Sequence, residues 1–365
     1  MAESPEPFTD VALSEGGFTL PELKWRELLF VGALRPEGGA FVRDPARPLP
    51  PFRFSGLFPV GVLLRATRAG ERVAVSREDR QPLRPVNSMA APILHADLGL
   101  ARRLETAEAA GAAAAAEAWL RLDPAADAAV LGVGGGVAAF LGVGSPLTHA
   151  MGVGVAGPVT GADVDAVEEF YRARGSGASF ELSPLADFGL FEALGRRGYR
   201  IVELATVLAR EVAGIPPSPP PRGLVIEGGG GARAALWTRT LALGFHGTDE
   251  DPALRLAASI LAEHAGPGAL LAFVDGRVAG GGALAVHGDV ACLFADATLA
   301  ADRGRGVQSA LIARRLDLAA EAGCDLAMAS TAPGSVSQRN YERAGFRVAY
   351  TRVCLLRECI ISPHG

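Results

Sequence analysis

Lysine is almost missing from this sequence: of its 35 basic residues only Lys24 is not an arginine. Set against 40 acidic residues, they leave a formal net charge of −5. The basic excess of a dedicated nucleic-acid binder is therefore absent, and no aromatics are interleaved with the arginines to stack on bases. The arginine bias, like the abundance of Ala and Gly, fits GC-rich coding and carries no functional message. Cysteine is scarce too. Cys292, Cys324, Cys354 and Cys359 form no C-x-x-C pair, which excludes the spacing of a structural zinc site or a dithiol motif. They read as small buried hydrophobes in a reducing compartment. The residues after Met1 lack a basic n-region and an apolar h-region, so no signal peptide is expected and a cytoplasmic location is. Residues 128–162 contain no Asp, Glu, Lys or Arg, a length that fits a membrane span. Repeated Gly, Ser145-Pro146 and His149 break any helix there, so buried strands joined by tight turns are expected instead.

What is present is enough apolar sequence, 49% of 365 residues, for one or two good cores. Residues 1–88 hold 11 of the 25 prolines and no sustained period. They read as a poorly ordered extension or as the product of a mis-assigned start, with Met89 the true initiator. Helix-forming text follows, with Asp97 placed as an N-cap. The run from Gly214 to Arg222, rich in proline, is expected to be an extended linker. It separates 89–213 from 223–365.

These two parts repeat. A shift of 147 residues lays Arg196-Arg197-Gly198-Tyr199-Arg200 on Arg343-Ala344-Gly345-Phe346-Arg347 and carries Arg210-Glu211 onto Arg357-Glu358. Each segment reads as helix, glycine stop and strand, which favours duplication of one α/β unit. The C-terminal copy reads in order as two helices, the second capped by Asp251, then a three-stranded meander over 270–299 with turns at 275–277 and 287–289. A loop, a helix from Val307 to about Ala322, a strand at 326–330, a short helix at 335–344 and a closing strand at 346–356 complete it. The fold class expected is α+β: a mixed, mostly antiparallel sheet flanked by helices, twice over.

One stretch carries chemistry. In Asp302-Arg303-Gly304-Arg305-Gly306-Val307-Gln308-Ser309, two glycines let backbone amides approach an anion, a helix start supplies unpaired N–H groups, and two arginines stand beside them. This is equipment for a pyrophosphate, without being a G-x-G-x-x-G or Walker loop. The stretch resembles the acetyl-CoA signature [Q/R]-x-x-G-x-[G/A] of the GNAT superfamily of N-acetyltransferases. Arg303, Gly306 and Gln308 take its places, Gln308 standing where a small residue is usual. Tyr341-Glu342-Arg343-Ala344-Gly345-Phe346 is similar to the Y-x-[K/R]-x-G-F that ends the fourth helix in many members.

The resemblance implies two GNAT-like lobes, the first degenerate, and an acetyl group passed from acetyl-CoA directly to a primary amine. It implies that Thr298 or Leu299 offers the oxyanion amide, that residues 303–309 hold the pyrophosphate, and that Ser337 and Asn340 hydrogen-bond CoA. Tyr341 would be the general acid. Asp296 is the candidate base, with His246, Asp249, Glu250 and Asp251 a candidate acceptor rim. At the repeat offset, Arg303, Gly306 and Tyr341 meet Ala156, Val159 and Leu194, so the first copy lacks these tools. The expected partners are acetyl-CoA as co-substrate and a small-molecule or peptide amine; no metal, nucleic acid or membrane is called for. The alternative is a non-catalytic acyl-CoA-binding regulatory module.

Overall fold

In the computed structural model, residues 95–212 and 222–358 are described, together with the backbone of four short strands nearer the N-terminus. Those four, β1 (Leu34–Glu37) with β2 (Ala40–Arg43) and β3 (Val62–Ala66) with β4 (Val73–Arg77), pair as two antiparallel hairpins. The expectations for the rest of residues 1–88, for most of the proline-rich linker and for Cys359 lie outside the described residues.

From Asp97 onward the local signals hold. The Asp97 carboxylate accepts from the Leu100 amide at 2.8 Å and opens α1 (Leu98–Leu122). The uncharged run becomes strands β5 (Ala129–Val133), β6 (Gly136–Phe140) and β7 (His149–Met151), and no helix among the described residues is long and apolar enough to cross a membrane. Next come α2 (Gly161–Arg172), β8 (Ala178–Leu182), α3 (Phe188–Arg196) and β9 (Arg200–Glu211). The second half runs β10 (Leu224–Gly228), α4 (Ala234–His246), α5 (Pro252–Ala265), β11 (Ala269–Val274), β12 (Arg277–His287) and β13 (Val290–Thr298). It ends with α6 (Val307–Glu321), β14 (Leu326–Thr331), α7 (Val336–Arg343) and β15 (Arg347–Arg357). Asp251 caps α5, accepting from the Ala253 amide at 2.8 Å.

All strands from β5 onward join one eleven-stranded sheet in the order β10-β11-β12-β13-β14-β9-β15-β8-β7-β6-β5. The two halves have therefore exchanged their last strands. Strand β9, from the first half, lies between β14 and β15, and β15, from the second, lies between β9 and β8. The ladder between them obeys the 147-residue shift: Arg200 faces Leu356 and Ala209 faces Arg347, while Ala205 and Arg352 face each other. Each pairing maps onto another pairing, and the central one maps onto itself. Duplication of one unit accounts for this symmetry; chance does not.

Helices α4 and α5 pack on one face of β11–β13 and α6 on the other, while α1 packs on β6 in the first half and on β12 and β13 in the second. The cores are aliphatic and small-residue rich, with Trp237, Tyr171, Phe180 and Phe346 fully buried. Cys292, Cys324 and Cys354 are buried and free.

Candidate active site

Strands β13 and β14 run parallel and pair from Val290–Leu326 to Leu293–Ala329. Beyond that point they part. Ser330 and Thr331 keep only the pairing with β9 that runs along the other edge of β14, and β13 bulges: Gly281 faces Ala297 and Ala283 faces Phe294, so two residues oppose one. Ala295 sits in the bulge at φ +57°, a left-handed conformation that costs a non-glycine residue about 1–2 kcal/mol. The bulge aims Asp296 into the layer between the sheet and α6. There the Tyr341 hydroxyl donates to Asp296 Oδ2 at 2.5 Å, and the fully buried Arg315 guanidinium pairs with Oδ1. Arg315 also donates to the carbonyls of Leu311, Ala283 and Phe294 at 3.0–3.2 Å. Burial, and behind it the Asp296 carboxylate, push the Tyr341 phenol well above its ordinary value, against the pull of Arg315.

The glycine-rich loop joins the end of β13 to α6. Gly304 and Gly306 adopt φ +77° and +80°, and Gly306 is the N-cap of α6, with no side chain capping it. The first amides of α6 thus point outward without a side-chain acceptor, the arrangement in which a helix N-terminus takes up an anion. Val307 is buried and anchors the helix start in the core, while Ser309 is exposed. The two arginines differ. Arg305 is held between Asp302 and Asp275, both at 2.9 Å. Arg303 reaches only the Gly244 carbonyl, at 3.4 Å, and among the described residues no carboxylate pairs with it.

Comparison with known proteins fits this geometry. The Acetyltransferase (GNAT) family matches residues 235–346. Its fold is similar to that of a GCN5-related N-acetyltransferase from Kribbella flavida, at 20% identity and a TM-score of 0.53 over 73% of this chain and 96% of that one. A tandem GNAT protein from the clavulanic acid biosynthesis pathway is similar at 19% identity and a TM-score of 0.48, over 74% of this chain and 98% of that one. A GCN5-related N-acetyltransferase from Sphaerobacter thermophilus is similar at 19% identity and 0.42, over 50% and 60%. No curated protein matches the chain significantly.

Within residues 235–346 the sequence candidates sort themselves. The Leu299 amide is committed to the Ala279 carbonyl at 2.9 Å. Backbone groups alternate sides along a strand, so the Thr298 amide faces the gap. Gln308 donates to Ser337 and accepts from Asn340, both at 2.8 Å. The three side chains expected near CoA thus bond one another and tie α6 to α7. Of the acidic rim, Asp251 is spent on its cap and Asp249 pairs with Arg239 at 2.7 Å, while His246 and Glu250 are exposed. Arg315 escaped sequence reasoning. Its signal was there: it interrupts the apolar face that Val307, Leu311 and Leu318 define.

The first half differs at each corresponding point. Helix α2 is closed by its own capping box, the Asp163 carboxylate taking the Thr160 amide at 2.7 Å and Thr160 taking the Asp163 amide at 3.3 Å. His149, the counterpart of Asp296, pairs with Glu181 at 3.5 Å. Beside them Arg352, on the pseudo-axis, is fully buried against Glu105 at 2.9 Å and Glu108 at 2.6 Å, and Tyr350 also donates to Glu105, at 2.7 Å. Burial raises the Glu105 pKa in spite of Arg352. At the other end of β12 from the gap, a cleft of about 360 Å³ is lined by Arg121, His264, Pro267 and His287.

Proposed function

We propose that the chain is an acetyl-CoA-dependent N-acetyltransferase with a single active site, in the second half. The uncapped, glycine-shaped start of α6 beside the unpaired end of β13 carries this reading: together they supply the parts of an anion cradle and an opening between strands, with Asp296 and Tyr341 in the layer between the sheet and α6. Amides at the start of α6 and the Arg303 guanidinium would hold the pyrophosphate. The Thr298 amide would face the thioester oxygen and stabilise negative charge as it develops there.

A neutral amine then attacks the acyl carbon, and the C–S bond breaks with its electron pair going to sulfur. The amine nitrogen gives a proton to Asp296, and the Tyr341 hydroxyl gives one to the sulfur. The proton on Asp296 returns to the Tyr341 oxygen, so the free thiol, the amide and the original site result. Release of thiol from acetyl-CoA across a panel of primary amines tests the reading.

One observation favours a second reading. Tyr341 is 1% exposed and its hydroxyl hydrogen is already engaged in a hydrogen bond to Asp296, as suits a non-catalytic acyl-CoA-binding module. Tight acetyl-CoA binding by calorimetry with no thiol release from any amine would select it.

A further inference from the structure

We propose that Arg315 is the positioning residue that makes Asp296 and Tyr341 one unit, holding the carboxylate against the phenol and stabilising the phenolate once the carboxylate is protonated. The inference rests on the acetyl-transfer reading above.

The guanidinium is fully buried; its Nε bonds the Leu311 carbonyl of its own helix, and its two terminal nitrogens are aimed at the bulge. It binds the carbonyls on both sides of the bulge, Ala283 on β12 and Phe294 on β13, and both oxygens of Asp296. Gly282, the one residue of β12 opposite Ala295 and Asp296 in the bulge, makes the room. A Cβ there would lie 3.1–3.3 Å from the Arg315 guanidinium, so this position in the Gly280–Gly282 run serves that side chain. Replacement of a buried ion pair by apolar groups is often neutral or stabilising. A fully buried arginine is thus weakly explained by stability, and its address on the bulge explains it better.

The electrical argument sets the order of events. The charged or titratable groups facing Tyr341 are Asp296 from β13 and Arg315 from α6; β14 and β9 present Ala329 and Leu208, and Phe346 packs edge-on. While Asp296 is ionised it holds the phenol proton in place. When Asp296 takes up the proton of the amine, Arg315 is left facing the phenol alone and favours its ionisation. Tyr341 therefore becomes a proton donor only after the amine has given its proton up. Attack and thiol departure are coupled, and the site does not protonate the sulfur early.

The full-length chain is tested in two ways. In the first, tyrosine ionisation is followed by ultraviolet absorbance. All four tyrosines are raised by burial in the folded protein. Asp296→Asn is expected to bring one phenol down by more than about one pH unit. Adding Tyr341→Phe should remove that signal, and adding Arg315→Met should return it to high pH. Equal titration of Asp296→Asn with and without Arg315→Met overturns the proposal. The double variant carries no uncompensated charge, so it guards against a misfolded single variant.

In the second, Arg315→Lys, which keeps the charge and loses the fork, is expected to lower kcat by about 10- to 100-fold while the KM for acetyl-CoA stays within about threefold. The amine used is the most active of the panel. Wild-type kcat in folded Arg315→Lys overturns the proposal while acetyl transfer stands. Absence of thiol release by the wild type overturns the transfer reading itself, and the proposal with it.

Discussion

Gly306 concentrates the demands of the loop in one residue. Its φ of +80° is open to glycine and closed to β-branched side chains, and its position as N-cap puts any side chain beside the free amides. Gly306→Val is therefore expected to abolish acetyl-CoA binding by calorimetry; retained affinity would remove the loop from the site. Tyr341→Phe keeps the edge-on packing against Phe346 and leaves Asp296 Oδ2 with only the longer contact from Arg315, at 3.4 Å. Turnover is expected to fall about 10- to 1000-fold, the range for loss of a general acid, with stability lowered by about 1–3 kcal/mol for the carboxylate oxygen left poorly satisfied. Unchanged turnover with lowered stability would make Tyr341 structural. At this scale the sequence was only partly legible. The family resemblance named Tyr341 and residue type named Asp296, but nothing local says that they touch, since 45 residues separate them and α6 lies between. Gln308, Ser337 and Asn340 were legible as polar and near the site, and illegible as one another's partners.

Among elements, α2 and α6 are copies that treat the same end differently. Helix α2 fills its N-terminus with Thr160 and Asp163, and the carboxylate would repel a phosphate placed there. Helix α6 leaves its own open. Calorimetry is expected to give one acetyl-CoA per chain, and two equivalent sites would contradict this account. The capping box T-x-x-D was readable in the sequence as a helix start; its meaning as a plug emerges only beside the open copy.

Helix α5 and strand β12 bring a pH dependence. Burial first, then His287 and Arg121, push His264 down to about 4, and burial lowers His287 as well. The unfolded chain holds these protons more readily, so their contribution is complete above about pH 6.5 and is lost as pH falls toward 4. For His264 alone this amounts to as much as about 3 kcal/mol. Urea unfolding between pH 7.5 and 4.5 should therefore show a smaller loss in His264→Gln than in the wild type. An identical slope would place the histidine in solvent. His287 was expected as an exposed turn residue; the turn begins just after it, and α1 covers it at Gly111.

For the molecule as a whole, the helices and strands of the second half from α4 onward were legible to within a residue or two because period, caps and glycine stops agree there, while β10 (Leu224–Gly228), just after the proline-rich run, was not read. The joining of both halves in one sheet was not. A repeat in sequence says that a unit is copied, not whether its last strand stays at home, and the alternatives bury nearly the same side chains. The exchange predicts that residues 223–365 expressed alone lack the strand that β14 and β15 both require. They are expected to aggregate or to lose cooperative unfolding, and adding a peptide of residues 200–211 should restore order measurable by circular dichroism. A cooperative, soluble fragment without the peptide would contradict the exchange.

Strand β15 also sets a schedule. A ribosome delivers β8 and β9 long before residues 347–357, so the first half emerges with the slot between those strands empty and is completed only when β15 follows. Until then the nascent chain presents two unpaired strand edges beside a finished set of helices, and a truncation that removes β15 would strike the half that was made first.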